Sequence, residues 1–218
     1  MFEGVSKKLD LAGYFLNNLR LLAKKAGGFA HINVNKKHEV IANLDGFLFE
    51  IISAKDFFIQ GINEYFHLGI AGKEVSEDEL ITCRSLPSNA KDVVKKIKGL
   101  LSREKTWLWR LNNYRNSATH RELVHFWHVS DGPIIEVREG EEPQFQIILD
   151  HETKAPRYLR RIDIPGDVYE FKDLGTYLYK DPEDQSKGRL DIGIIEYCEQ
   201  SLDKMKKLLE NLYAELGI

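Results

Sequence analysis

Between residues 38 and 68, apolar side chains return every three or four positions: Val40, Ile41, Leu44, Phe47, Leu48, Ile51, Ile52, Phe58, Ile59, Ile62 and Phe66. That is the period of an α-helix, about 3.6 residues. A helix with so broad an apolar stripe has to be covered by partners. Gly46 and Gly61 weaken it by about 1 kcal/mol each relative to alanine. Lys55 and Asp56, like residues 37–39, are expected on its solvent side, and Gly69 and Gly72 mark its end.

Candidate partners follow from the same periodicity. Residues 7–26 carry Leu9, Ala12, Phe15, Leu16, Leu19, Leu22 and Ala26 at helical spacing, closed by Gly27-Gly28. Ser76-Glu77-Asp78-Glu79 has the capping pattern of a short helix. Pro87-Ser88-Asn89 opens another helix that runs through Val93, Val94, Ile97, Leu100 and Leu101. A further helix spans 106–122, with Trp107, Leu111, Tyr114 and Ala118 along one side. The last spans 189–217, where Ile195, Cys198, Leu202, Met205, Leu209, Leu212 and Leu216 form a heptad seam.

Between the last two helices the pattern changes. Residues 125–129, Asp131-Gly132-Pro133 and 134–137 read as strand, turn and strand. Residues 144–149 read as a third strand and 168–171 as a fourth. Four of the six prolines (Pro133, Pro143, Pro156 and Pro165) lie among these segments, and the polar stretch 181–188, which holds Pro182, closes the region. The expectation is a mainly α protein: an up-and-down bundle of about four long helices plus a short one. A small β-rich insertion at about 123–185 would precede the C-terminal helix. At 218 residues this makes one domain, 1–218.

The net charge of −3 excludes a global basic field, but charge is unevenly spread. Residues 84–121 hold ten Lys or Arg against Asp92 and Glu104 alone, with Trp107, Trp109 and Tyr114 interleaved. Such a stretch suits a polyanion, and RNA bases stack on aromatic rings. Lys95, Lys98, Arg110 and Arg121 are its candidate RNA contacts. A second basic cluster, Lys154, Arg157, Arg160 and Arg161, could extend the track.

Within the stretch lies Tyr114-Arg115-Asn116-Ser117-Ala118-Thr119-His120-Arg121. An Arg five residues before a His arises by chance about 0.35 times in a chain of this composition, and requiring Asn after the Arg lowers that to roughly 0.02. Asn116 and His120 stand four apart and share a helix face. Arg115 stands about 140° from His120, so only its length brings the guanidinium to the same place. An imidazole moves protons near neutral pH. A guanidinium holds phosphate and offsets charge developing on it. An amide can fix the imidazole tautomer or donate to phosphate.

This R-N-x-x-x-H pattern, with two long helices before it and one after it, resembles the HEPN superfamily of helical bundles. There the motif sits near the start of a late helix. The resemblance covers about 1–122 and 189–218. It implies a metal-independent, cofactor-free endoribonuclease that makes a 2′,3′-cyclic phosphate and a 5′-hydroxyl. Arg115, Asn116 and His120 would be catalytic: His120 the general acid/base, Arg115 the phosphate-binding group and Asn116 the orienting group. It also implies a homodimer in which two motifs meet, and a prokaryotic defence, stress or toxin–antitoxin setting with an antitoxin or other protein partner. A non-catalytic nucleotide-, RNA- or protein-binding module is the alternative. A toxin subgroup of the superfamily has Tyr two residues after the His; this chain has Glu122 there.

Other chemistries are less well supported. Glu122, His125 and His128 have metal-ligand spacing, but on a strand His125 and His128 point to opposite faces, so no metal site is expected. Asn17, Asn18, Asn43 and Asp45 interrupt apolar helix faces, and one of them could face the motif. Cys83 and Cys198 form no motif, and the first eight residues lack the order of a signal peptide. The apolar run at 46–49 is cut by Glu50, far short of the roughly 18 residues of a membrane span. The expected location is the cytoplasm.

Overall fold

A computed structural model describes residues 2–26, 34–104, 106–120, 126–131, 145–149, 156–161, 168–170, 172–178, 180 and 190–218. The protein is mainly helical. Its helices are α1 (Glu3–Ala26), α2 (Val34–Tyr65), α3 (Glu77–Thr82), α4 (Ser88–Ser102), α5 (Trp107–His120) and α6 (Ile194–Leu216). Among the described residues no helix is long and apolar enough to cross a membrane.

Contacts between α1 and α2 fix their direction. Phe2 lies over Gly61, Gly4 under Phe57, and Phe15 over Gly46. Lys8 bridges Glu50 at 2.7 Å, and the Asn18 amide donates to Asn43 Oδ1 at 3.0 Å. Numbers rise on one helix as they fall on the other, so the two run antiparallel. Gly46 and Gly61 are therefore packing residues: a Cβ at Gly46 would stand 2.7 Å from the Phe15 ring. Overpacking of about 1–3 kcal/mol outweighs the helix propensity that alanine would add.

The same reasoning places α6. The Phe2 amide donates to the Tyr213 hydroxyl at 2.9 Å and Arg20 pairs with Glu199 at 2.6 Å, so α6 runs opposite to α1. Lys96 of α4 reaches Glu215 at 2.5 Å, near the C-terminal end of α6. Tyr114 of α5 packs edge-on to Tyr197, near its N-terminal end, with centroids 5.6 Å apart. Thus α4 and α5 lie in succession along α6 and form one interrupted rod. Phe47, Phe58, Leu44, Leu48, Ile51, Ile52 and Ile62 of α2 are fully buried in the middle.

Thr106 makes the joint of that rod. Its hydroxyl accepts from the Trp109 amide at 3.2 Å, capping α5, and donates to the Leu100 carbonyl near the end of α4. One side chain thus satisfies a free N–H of one helix and a carbonyl of the other. We expect Thr106→Ala to lower stability by about 1–2 kcal/mol in urea unfolding. A loss below about 0.5 kcal/mol would show that the joint is held by packing alone.

Among the described residues, five short strands lie between α5 and α6. β1 (Phe126–Asp131) pairs antiparallel with β5 (Lys172–Leu178), while β2 (Phe145–Leu149), β3 (Pro156–Arg161) and β4 (Val168–Glu170) form an antiparallel sheet in the order β2-β3-β4. Phe126 stands opposite Leu178, so the segment leaves and returns at one place. Leu178 is fully buried, and its carbonyl accepts from the Leu190 amide at 2.8 Å just before α6.

Several expected boundaries shift. α1 begins at Glu3 and α2 at Val34, earlier than periodicity placed them. α2 stops at Tyr65 because His67 takes a left-handed conformation (φ 51) two residues before Gly69 (φ 70). α6 starts at Ile194, and Cys198, Met205, Leu209, Leu212 and Leu216 of its expected seam are buried, within a wider face. Ile194, Tyr197, Cys198 and Ser201 are buried, whereas Ile195 and Leu202 are only partly so. Over several neighbours a helix buries a face wider than a two-stranded heptad seam. β1 pairs with β5, and residues 134–137 lie outside the described residues, as do Gly27-Gly28 and 181–188. β3 carries Arg157, Arg160 and Arg161 where no strand was expected, while Lys154 is outside the described residues. The Ser76 cap is as expected: its hydroxyl accepts from the Glu79 amide at 3.2 Å.

Candidate functional site

Arg115, Asn116 and His120 occupy the last turn and a half of α5. The resemblance implied a motif near a helix start, although the expected helix over 106–122 already placed it near the end. Thr106 caps the helix well upstream, so the motif falls at the C-terminal end instead. The backbone places Asn116 and His120 on one face, four residues apart. Only the backbone of His120 is described, and Arg121, Glu122 and His125 lie outside the described residues. His128 falls in β1.

Arg115 is half-buried and turns toward α2, where its Nη2 stands 3.8 Å from Asp56 Oδ2. Asp56 is also bound by Lys55, at 2.5 Å, and Lys55 bonds Glu77 at 2.8 Å in the first turn of α3. This corrects the expectation that Lys55 faces solvent: it is only 6% exposed. Burial pulls its pKa down, but Asp56 and Glu77 together more than reverse that, so the ammonium is held above its ordinary value. The result is a line of alternating charge, Glu77, Lys55, Asp56 and Arg115, joining α3, α2 and α5.

Of the polar residues that interrupt the first two helices, Asn18 and Asn43 bond each other, and Asn17 accepts from Arg20 at 3.0 Å. Asp45 is different. It precedes Asp56 by three turns and stands within about 20° of it around α2, on the side of the helix that meets α5. Its Oδ1 is buried without a hydrogen bond, and burial raises its pKa to about 6. A folded carboxyl that keeps its proton longer than the unfolded one loses stability as pH rises from about 4 to 6. We therefore expect Asp45→Asn to raise stability at pH 7.5 by on the order of 1 kcal/mol, discounted for partial exposure, and to leave it unchanged at pH 4. Thermal melts at the two pH values decide this; equal shifts at both would refute it.

The basic stretch is less free in space than along the chain. Lys95 pairs with Asp92 at 3.2 Å, Lys98 with Asp78 and Lys96 with Glu215. Asp78, Glu215 and Asp56 all lie outside residues 84–121, so a count along the chain overstates the field. Lys95 and Lys98 remain exposed, and such surface pairs yield readily to a competing anion. Arg110, by contrast, turns toward α6. Its Nε is buried without a hydrogen bond beside Tyr197, whose hydroxyl is likewise buried, close to the Ser201 hydroxyl and to Arg110. Burial holds the Tyr197 phenol well above its ordinary pKa, so it stays protonated and can donate.

The sequence reading did not bring out Lys55, Glu77 and Tyr197. A lone lysine beside an aspartate looks like surface, and no local pattern links residues on separate helices. Among the described residues no group of three His, Cys, Asp or Glu is placed to hold a metal ion. Comparison with protein-family models, with curated proteins and with solved structures gives no match.

Proposed function

We propose that the chain is a metal-independent endoribonuclease of HEPN type, acting in the cytoplasm as a homodimer. In this reading 1–218 is one helical domain carrying a β-rich insertion at about 123–185. His120 moves the proton of the RNA 2′-hydroxyl or of the leaving oxygen. Arg115 offsets charge on the phosphorane, and Asn116 orients. The 2′-oxygen attacks phosphorus, the P–O5′ bond breaks, and the products end in a 2′,3′-cyclic phosphate and a 5′-hydroxyl. Lys95, Lys98 and Arg121 line the RNA path, while Arg110, turned toward α6, lies off it. The setting would be prokaryotic defence, stress or toxin–antitoxin activity, with an antitoxin-like partner holding the enzyme in check.

The observation that carries this reading is the R-N-x-x-x-H motif on α5, with Arg115 held toward α2 by Asp56. Structured RNA incubated with purified protein in EDTA tests it. Cleavage with cyclic-phosphate ends supports it, and intact RNA over the enzyme concentrations that saturate binding overturns it. One observation favours a second reading, a non-catalytic nucleotide-, RNA- or protein-binding module: Asp56 already occupies Arg115, and a phosphate has to displace it. RNA that binds and stays whole would favour that reading.

A further inference from the structure

A cavity of about 220 Å³ opens between the first turns of α5, residues 190–192 and the first half of α6. Arg110 and Lys204 supply two cations, and neither makes an ion pair among the described residues. Tyr197, 6% exposed, lines the cavity with its hydroxyl buried close to that of Ser201, and Arg110 Nε is buried without a hydrogen bond. Ser201 is buried beside them, and Trp107 forms an apolar wall. Asp191 is an exposed carboxylate in the lining, so the cations outnumber the acids two to one.

Buried donors without partners are costly, and a ligand that accepts from them removes the cost. Two cations and two hydroxyls around one space fit a dianion with several acceptor oxygens better than a single carboxylate. The volume holds about seven waters, below the usual range of about 300–1,000 Å³ for larger ligands. It admits a phosphate with a body of about five carbons at most.

We infer that this cavity binds a small phosphate monoester, its phosphate between Arg110 and Lys204, the Tyr197 and Ser201 hydroxyls donating to its oxygens, and its carbon body against Trp107. The ester can be a free sugar phosphate or the 5′-phosphate end of an RNA, which share this chemistry. The site is independent of the cleavage chemistry: Arg110 and Arg115 stand about 140° apart around α5, and binding requires nothing of His120.

Calorimetric titration of the full chain with ribose 5-phosphate tests the inference. Saturable binding at one site per chain is expected, with none for ribose and weaker binding for inorganic phosphate. Tyr197→Phe, which keeps the ring, weakens it about tenfold, and Arg110→Gln about 10²-fold. Lys207→Gln, at an exposed lysine paired with Asp203, leaves it unchanged. A short RNA with a 5′-phosphate, compared with its 5′-hydroxyl counterpart, separates the two sources. Binding of that RNA alone, with the same dependence on Tyr197 and Arg110, assigns the site to an RNA terminus. Failure of both esters to bind, wild-type affinity in Tyr197→Phe, or equal affinity for inorganic phosphate would each overturn the assignment. None of these results bears on whether RNA is cleaved.

Discussion

In His120→Ala, RNA cleavage in EDTA falls by about 10²–10⁴-fold, the contribution of a positioned general acid/base. Alanine is the best helix former, and His120 is the last residue of α5, so the helix has no reason to unwind. Arg115 remains on its α2-facing side and the exposed lysines remain available, so RNA binding persists. The loss therefore falls on kcat with KM nearly unchanged, the signature of an interaction made only in the transition state. Single-turnover cleavage by matched preparations measures it. Equal cleavage by wild type and variant would remove His120 from the chemistry; a loss of binding equal to the loss of rate would make it a contact residue.

Lys55→Met is expected to cost about 3 kcal/mol of stability, near the lower end of what breaking a buried ion pair costs. Two carboxylates lose their partner at once. Glu77 is largely buried, whereas Asp56 keeps some water and still faces Arg115. Adding Glu77→Gln should recover part of the loss, because it removes the charge left stranded. The sign with pH follows from the direction of the shift. A lysine held above its ordinary value contributes fully throughout neutral pH. That contribution fades only as pH rises through the folded-state value, above about 10.4. Urea unfolding at pH 7 measures the cost. A loss under about 1 kcal/mol would mean that the cluster is solvated and Lys55 dispensable.

Much of the helical framework was legible because apolar spacing is a local property. The wide stripe on α2 announced a central helix, and Ser76 and the Pro87-Ser88-Asn89 turn announced the starts of α3 and α4. Lys55 was misread because its two acids differ in visibility: Asp56 is adjacent and looks like a surface neighbour, while Glu77 comes from another helix. The α6 seam was right in phase over Cys198, Met205, Leu209, Leu212 and Leu216 but too narrow, because a heptad assumes one facing helix and α6 meets several. Arg115 was recognisable by type and spacing, but its facing acid lies on α2, and no periodicity connects the two. Arg110 and Tyr197 were invisible as a pair for the same reason. Where a side chain's environment comes from a distant helix, single-sequence reading can supply the chemistry of a residue and not its neighbour.

The break between α4 and α5 has a consequence for how this chain tolerates insertions and deletions. In one continuous helix, each added residue would turn everything beyond it by about 100°, and Arg115 would swing away from Asp56. Here Thr106 restarts the count. The orientation of α5 is set by its own cap and its own buried face, so the length of the connection at 103–105 is uncoupled from the direction in which Arg115 points. A residue gained there costs the Thr106 bond to the Leu100 carbonyl but leaves that direction unchanged. A single residue gained between Leu108 and Tyr114 would instead shift the motif out of phase with the whole bundle.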